Sequence, residues 1–184
     1  ARLAERMSLL RSHGITRDPG LMTHEPDGPW YYQQIDLGFN YRMTELQAAL
    51  GVSQMKRLDE FVVRRHALAH RYDKKLAGLP VVTPWQHPDS YSGLHLYVIR
   101  LNSAQTGAGH RYVFDSLRSQ GIGVNVHYIP VHTQPYYLNL GFQTGDFPQA
   151  ESYYAEAISL PMFHGMTESQ QDAVVEALRK AVQQ

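Results

Sequence analysis

Between Leu94 and Tyr128 the hydrophobic period changes twice, and this constrains the fold more than any other feature of the chain. Leu94–Leu101 (LHLYVIRL) is an apolar run of strand length. His110–Gln120 then takes a helical spacing, with Val113, Phe114 and Leu117 on one face and Gly121 as its stop. Beyond it Ile122, Val124, Val126 and Tyr128 alternate with Gly123, Asn125 and His127. Alternation of this kind is a strand signature. A short helix over Pro148–Ile158 follows, and Thr167 with Gln170 forms a T-x-x-Q capping box. That box opens a terminal helix with Val174, Val175 and Leu178 inward. Strand, helix, strand, helix, helix predicts a small α/β layer.

The first half reads differently. Residues 1–12 fit a helical period through Leu3, Met7 and Leu10, with Gly14 as a stop. Residues 16–36 carry Pro19, Gly20, Pro26, Gly28 and Pro29 among Asp and aromatic residues. A loop that long is usually functional or disordered. Thr44 and Gln47 form a second capping box, so a helix starts at Thr44 with Leu46, Ala49 and Leu50 on its apolar face. The period re-phases around Lys56–Asp59. A further helix carries Phe61, Leu68, Tyr72 and Leu76 on one side, and Gly78 ends it before Pro80.

Composition excludes several classes. The 184 residues suffice to bury a sizeable core. Seventeen basic residues balance seventeen acidic ones, which argues against nucleic acid or an anionic membrane surface as a partner. With no cysteine, disulfides and thiolate metal sites are ruled out. No apolar run approaches membrane-spanning length. A cytoplasmic protein is the default expectation. The chain opens at Ala1 inside a helical pattern without an initiator Met, which reads as a piece of something longer.

Four groups of residues carry chemistry. Asn40, Tyr41 and Arg42 stand directly before the helix start at Thr44. Free amides and the helix dipole favour anions there. Asn40 adds an amide donor, and Arg42 can fork onto a phosphate. The same residues also suit a left-handed turn at Asn40 and a local ion pair from Arg42 to Glu45. His127, Tyr128 and His132 lie in VHYIPVH, either facing a ligand or hydrogen-bonded in a strand-to-loop turn. His66 and His70 have the i, i+4 spacing of a zinc pair, but Ala67 stands where the metalloprotease pattern needs Glu. A solvated helix face is the better reading, and no metal is expected. Of the tyrosine pairs, Tyr31-Tyr32 lies in the long loop and suits a ligand contact, whereas Tyr153-Tyr154 suits packing. Lys56, Lys74, Lys75 and Lys180 all have polar or charged neighbours, unlike a Schiff-base lysine.

The run LGFNYRMTELQAALG resembles the DegT/StrS family of sugar-nucleotide aminotransferases. LAERMSLLRSHGI, HLYVIRL, GIGVNVHYIPVHTQPYY, AISLPMF and MTESQ resemble further blocks of that family, in its order. The HYIPVHTQPYY wording is nearest to the branch that serves pseudaminic acid biosynthesis and aminates C4 of a UDP-linked 4-keto-6-deoxy N-acetyl sugar. The resemblance implies the C-terminal part of an aspartate-aminotransferase-like fold (fold type I), with pyridoxal phosphate as cofactor. It implies that residues 1–57 end the large cofactor-binding domain. Residues 58–184 would then be a connecting helix and the small domain.

The resemblance also implies a homodimer with an active site shared between subunits. Asn40 would contact the cofactor phosphate across the dimer. Arg42 would approach that phosphate or the diphosphate of the nucleotide-sugar, beside Tyr41. The loop 24–36, with Trp30, Tyr31 and Tyr32, would cover the substrate, and His127, Tyr128 and His132 would lie near it. The family's Schiff-base lysine and its partners lie before Ala1, so the chain alone is expected to be inactive. The apolar faces of residues 1–12 and 44–57 would then need another cover, such as a second copy of the chain. Two other readings fit the residues. One is a stand-alone, non-catalytic sugar-nucleotide-binding or dimerisation module. The other is a relative that lost its lysine and became a sugar dehydratase.

Overall fold

The computed structural model describes residues 2–183. Ala1 and Gln184, the ends of the expected spans, lie outside the described residues. The chain forms two compact units, the first ending at Lys56 and the second starting at Arg57.

In the first unit, helix α1 spans Arg2–Leu10. Strands β1 (Ile15–Thr16) and β2 (Gln33–Gln34) form a two-residue antiparallel ladder, pairing Ile15 with Gln34 and Thr16 with Gln33. The long loop is therefore closed at its base. Gly14 explains the tight return after α1. Its φ is +71°, and a Cβ there would fall 1.9 Å from the Asp36 carbonyl oxygen. Only glycine tolerates both conditions. Helix α2 spans Glu45–Met55, and the capping box forms as expected: Thr44 Oγ1 accepts from the Gln47 amide, and Gln47 Oε1 accepts from the Thr44 amide. The buried residues of this unit are Gly14, Thr16 and Gln33. Leu3, Met7, Leu46, Leu50 and Met55 are exposed.

The second unit holds the hydrophobic core. Helix α3 (Leu58–Leu76) contributes Leu68, Tyr72 and Leu76. A three-stranded antiparallel sheet has the order β3 (Val81–Val82), β4 (Tyr97–Leu101), β5 (Ala157–Leu160). Alternate β4 residues Tyr97, Ile99 and Leu101 are buried, while Val98 and Arg100 are half-buried. Helix α4 (His110–Ser119) adds Val113 and Leu117, and Gly121 leaves it with φ +77°. Two short helices follow, α5 (Pro135–Leu138) and α6 (Pro148–Glu156). Helix α7 (Glu168–Val182) closes the layer with Val174, Val175 and Leu178 buried, behind its capping box.

Buried polar contacts fix the layer's register. Gln171 of α7 is fully buried; its Nε2 donates to the Leu68 carbonyl at 2.7 Å, and its Oε1 accepts from Arg71 at 3.1 Å. Tyr72 donates to the Pro161 carbonyl at 2.8 Å, and Tyr97 donates to Asp73 Oδ1 at 2.6 Å. Burial raises the Tyr72 hydroxyl above its usual range. The Tyr97 hydroxyl is raised by burial first, then by its bond to Asp73. Both phenols stay protonated donors.

Two sequence expectations are corrected. The helix expected over Pro148–Ile158 stops at Glu156, and Ala157–Leu160 is a strand. A continuous apolar run such as AISL satisfies either period. Pairing of Ile158 with Ile99 and Leu160 with Tyr97 decides it. The alternating segment 122–128 is not a strand. It makes one antiparallel bridge, Asn125 with Ser159, and no longer ladder. The Asn125 side-chain oxygen takes the Val126 amide at 2.8 Å, so that donor is lost to a ladder. The helix over residues 1–12 is observed as Arg2–Leu10. No helix among the described residues is long and apolar enough to cross a membrane.

Candidate functional site

The sequence-predicted residues fall in both units: Tyr31, Asn40, Tyr41 and Arg42 in the first, and His127, Tyr128 and His132 in the second.

The Asn40 segment is built from backbone. The Phe39 amide donates to the Leu10 carbonyl at 2.7 Å, the His13 amide to Phe39 at 2.8 Å, and the Tyr41 amide to Arg11 at 2.9 Å. Asn40 is bridged to Ser12. Gly38 permits this approach, because a Cβ there would sit 2.4 Å from the Gly14 nitrogen. Arg6 and Asp36 pair at 2.9 Å alongside. The main chain is thus stitched to the end of α1, while the side chains of Asn40, Tyr41 and Arg42 are exposed. Tyr41 stacks on Phe39 at 4.9 Å. Among the hydrogen bonds and ion pairs of the described residues, none involves the Asn40 amide group or the Arg42 guanidinium. The expected alternative, an Arg42–Glu45 pair, does not form.

These groups fit the phosphate end of a cofactor or of a diphosphate. The Arg42 guanidinium is donor-only and the Asn40 amide offers an NH2, both in the turn before a helix start, and together they supply the donors an anion needs. They do not fit a Schiff-base centre. Lys56, Lys74, Lys75 and Lys180 are all exposed. Lys75 Nζ lies 2.6 Å from Asp172, and Lys180 lies 3.6 Å from Glu176.

In the loop, Tyr31 is half-buried and its hydroxyl lies 2.7 Å from His24 Nε2. Trp30 and Tyr32 are exposed. Sequence reasoning missed the residue that holds this loop. Gln33 is buried, and its amide bonds both Thr23 and His24. A lone glutamine in a loop carries no periodic signal that would have revealed it.

In the second unit, His127 Nδ1 lies 2.7 Å from the buried Ser159 hydroxyl, and the ring packs edge-on against Tyr128 at 4.6 Å. Tyr128 is exposed. His132 is buried; its Nε2 lies 2.7 Å from Glu151 Oε1, and its ring packs on Phe147 at 4.8 Å. The Gly145 amide donates to the same carboxylate oxygen at 2.7 Å. That amide, and then His132, hold the Glu151 carboxyl below the usual carboxylate range. Both histidines spend one nitrogen within the fold, but His127 is only half-buried and Tyr128 is exposed, so these two retain ring surface for a ligand, whereas His132 is buried. His66 and His70 are engaged locally: His66 Nε2 meets the Ser92 carbonyl at 2.8 Å, and His70 Nδ1 meets the His66 carbonyl at 2.8 Å.

Comparison with known proteins gives the class. The profile of the DegT/DnrJ/EryC1/StrS aminotransferase family matches residues 1–179, and the chain belongs to that family. Pyridoxal phosphate is the family's cofactor. The spore coat polysaccharide biosynthesis protein SpsC of Bacillus subtilis (strain 168) is 36% identical over 183 residues, covering 98% of this chain and 47% of that protein. The structure of S. venezuelae DesV in complex with a ketimine intermediate superposes with a TM-score of 0.83 at 31% identity, covering 99% of this chain and 44% of DesV. Helicobacter pylori PseC, an aminotransferase involved in the biosynthesis of pseudoaminic acid, superposes with a TM-score of 0.84 at 28% identity, covering 99% and 46%. The chain therefore has the fold of part of a fold type I aminotransferase. It spans about half the length of the curated relatives it matches.

Proposed function

We propose that this chain is the C-terminal portion of a pyridoxal-phosphate-dependent sugar-nucleotide aminotransferase. The whole enzyme would move an amino group, with glutamate as donor, to C4 of a nucleotide-linked 4-keto-6-deoxy sugar. Similarity to PseC supports the pseudaminic acid branch as the substrate class. The observation that carries the reading is the unpaired donor set of Asn40 and Arg42, anchored by backbone to α1 ahead of the capped start of α2.

On this reading, residues 1–57 end the cofactor-binding domain and residues 58–184 are a connecting helix and the small domain. Asn40 holds the cofactor phosphate of a neighbouring subunit in a homodimer. Arg42 binds that phosphate or the substrate diphosphate, with Tyr41 beside it. Tyr31 covers the nucleotide-sugar, and His127, Tyr128 and His132 are the second unit's residues near that substrate. The bound cofactor supplies an electron sink for proton transfer at carbon. The lysine that tethers it comes from sequence before Ala1, so the chain alone binds, orients and shields without turning over.

Two measurements test this. In a titration with pyridoxal phosphate, a version extended upstream gains the visible absorbance of tethered cofactor, and this chain does not. A stoichiometric band on this chain alone would make one of its four lysines reactive and defeat the reading. In the extended enzyme, Arg42→Ala raises KM for the sugar nucleotide by about tenfold or more, the scale of a lost hydrogen bond to a charged group. Unchanged kinetics would remove Arg42 from the site.

A further inference from the structure

The loop between β1 and β2 contains a hydrogen-bond relay whose proton positions follow from its geometry. We propose that buried Gln33 sets the polarity of the Tyr31 hydroxyl, through Thr23 and His24, and so selects which ligand groups Tyr31 accepts. The proposal rests on the reading of this loop as a cover for the nucleotide-sugar.

Gln33 fixes the first proton position. Its Oε1 lies 2.8 Å from the Thr23 amide nitrogen, and its Nε2 lies 3.2 Å from the His24 carbonyl oxygen. A backbone N–H only donates and a carbonyl only accepts, so the amide has one satisfying orientation. Thr23 Oγ1 lies 3.1 Å from the same Oε1. That oxygen has no proton, so the threonine hydroxyl donates to it. Thr23 Oγ1 then has only lone pairs to offer His24 Nδ1, which stands 3.1 Å away. Nδ1 therefore carries the proton of the neutral imidazole, and Nε2 is bare. The Tyr31 oxygen lies 2.7 Å from Nε2, so the phenol donates its only proton there.

The Tyr31 oxygen is left with lone pairs alone. It can accept a hydrogen bond from a ligand hydroxyl or amide N–H. A phosphate or ketone oxygen would meet it lone pair against lone pair. Tyr31 thus reads the donor groups of the sugar or base, while Asn40 and Arg42 read its anionic oxygens. Gln33 and Thr23 are positioning residues for this selection, since they act through His24.

The test reads the His24 tautomer by long-range 1H–15N correlation on the 184-residue chain. The pH is held near 8.5, above the ordinary histidine range, and His24→Gln supplies the assignment. Wild type and Thr23→Ser carry the proton on Nδ1. Thr23→Val loses the acceptor, so the proton moves to Nε2, with the other histidine signals unchanged as the folding control. An Nε2-protonated His24 in wild type would overturn the relay without any variant, as would a tautomer unmoved by Thr23→Val. In the extended enzyme, Tyr31→Phe raises KM for the sugar nucleotide about two- to tenfold with kcat retained, the scale of one neutral hydrogen bond. An unchanged KM beside an Nδ1-protonated His24 would remove the ligand contact of the loop. Arg42→Ala separately judges the phosphate site.

Discussion

Replacing Gln171 by leucine should destabilise the second unit measurably while preserving its shape. The residue is fully buried between α7 and α3 and makes two side-chain hydrogen bonds. The bond to the Leu68 carbonyl is neutral and is worth about 1 kcal/mol net. The bond from Arg71 is charge-assisted, with an ordinary value of about 1.5–3 kcal/mol. Two features discount the sum. The Leu68 carbonyl stays in the backbone ladder of α3, and Arg71 keeps Asp172 at 2.9 Å and Glu168 at 3.6 Å. Leucine also removes a polar group whose burial was itself costly. A net loss of about 1–2 kcal/mol remains, which corresponds to about 3–8 °C in Tm for a domain of this size. Thermal and urea melts of the single variant and of Gln171→Met measure it, since methionine keeps the length without the amide. If both variants are as stable as wild type, the amide is not a fastener between α3 and α7.

Asp172 gives a pH prediction. Hydrogen bonding from Arg71 and Lys75 lowers its carboxyl to about 2, whereas an unfolded aspartate titrates near about 4. The pair's contribution is therefore present above about pH 4 and is lost as pH falls through the folded value. The urea midpoints of wild type and Asp172→Asn should converge across that window, and a constant gap would refute the assignment. Glu151 has the same sign, its carboxyl being held down by the Gly145 amide and His132, so Glu151→Gln should also approach wild type in acid. Residues 57–184 expressed alone should unfold cooperatively in urea, because the buried apolar residues all lie there. Residues 1–56 alone should show no cooperative transition, and a sharp one would disprove the inference from burial.

What the sequence revealed depended on whether a signal was local. Both capping boxes, at Thr44 and Thr167, form where the spacing placed them, because a T-x-x-Q box closes within one turn of chain. Gly14, Gly78 and Gly121 take positive φ where they were read as stops, for the same reason. The inward stripe of α7 was legible from its period alone. Ala157–Leu160 was not, since its strand state depends on β4, distant in sequence. The alternation at 122–128 misled because a side chain, Asn125, competes for a backbone donor. At the candidate site, Asn40 and Arg42 stood out by their place before a capped helix. Gln33, Thr23 and His24 did not, because a relay of unlike side chains has no period.

The division of burial between the units bears on how the site is held. In the first unit, Leu3, Met7, Leu46, Leu50 and Met55 are exposed, and the buried residues are a glycine, a threonine and a glutamine. Asn40 and Arg42 are therefore positioned without a hydrophobic core beneath them. What fixes them is backbone: three amide–carbonyl bonds between 10–13 and 39–41, admitted by Gly14 and Gly38 at a separation no Cβ allows. Bonds of this kind contribute about 1 kcal/mol each when solvent competes, too little to hold the Asn40 and Arg42 side chains to the half-ångström that binding geometry needs. On the proposed reading, a cover over the exposed apolar residues of α1 and α2 would supply what is missing, since any water it excluded from the turn would strengthen the turn's bonds. Formation of the site and burial of these residues are then one event, and affinity for the sugar nucleotide should rise and fall with whatever covers α1 and α2.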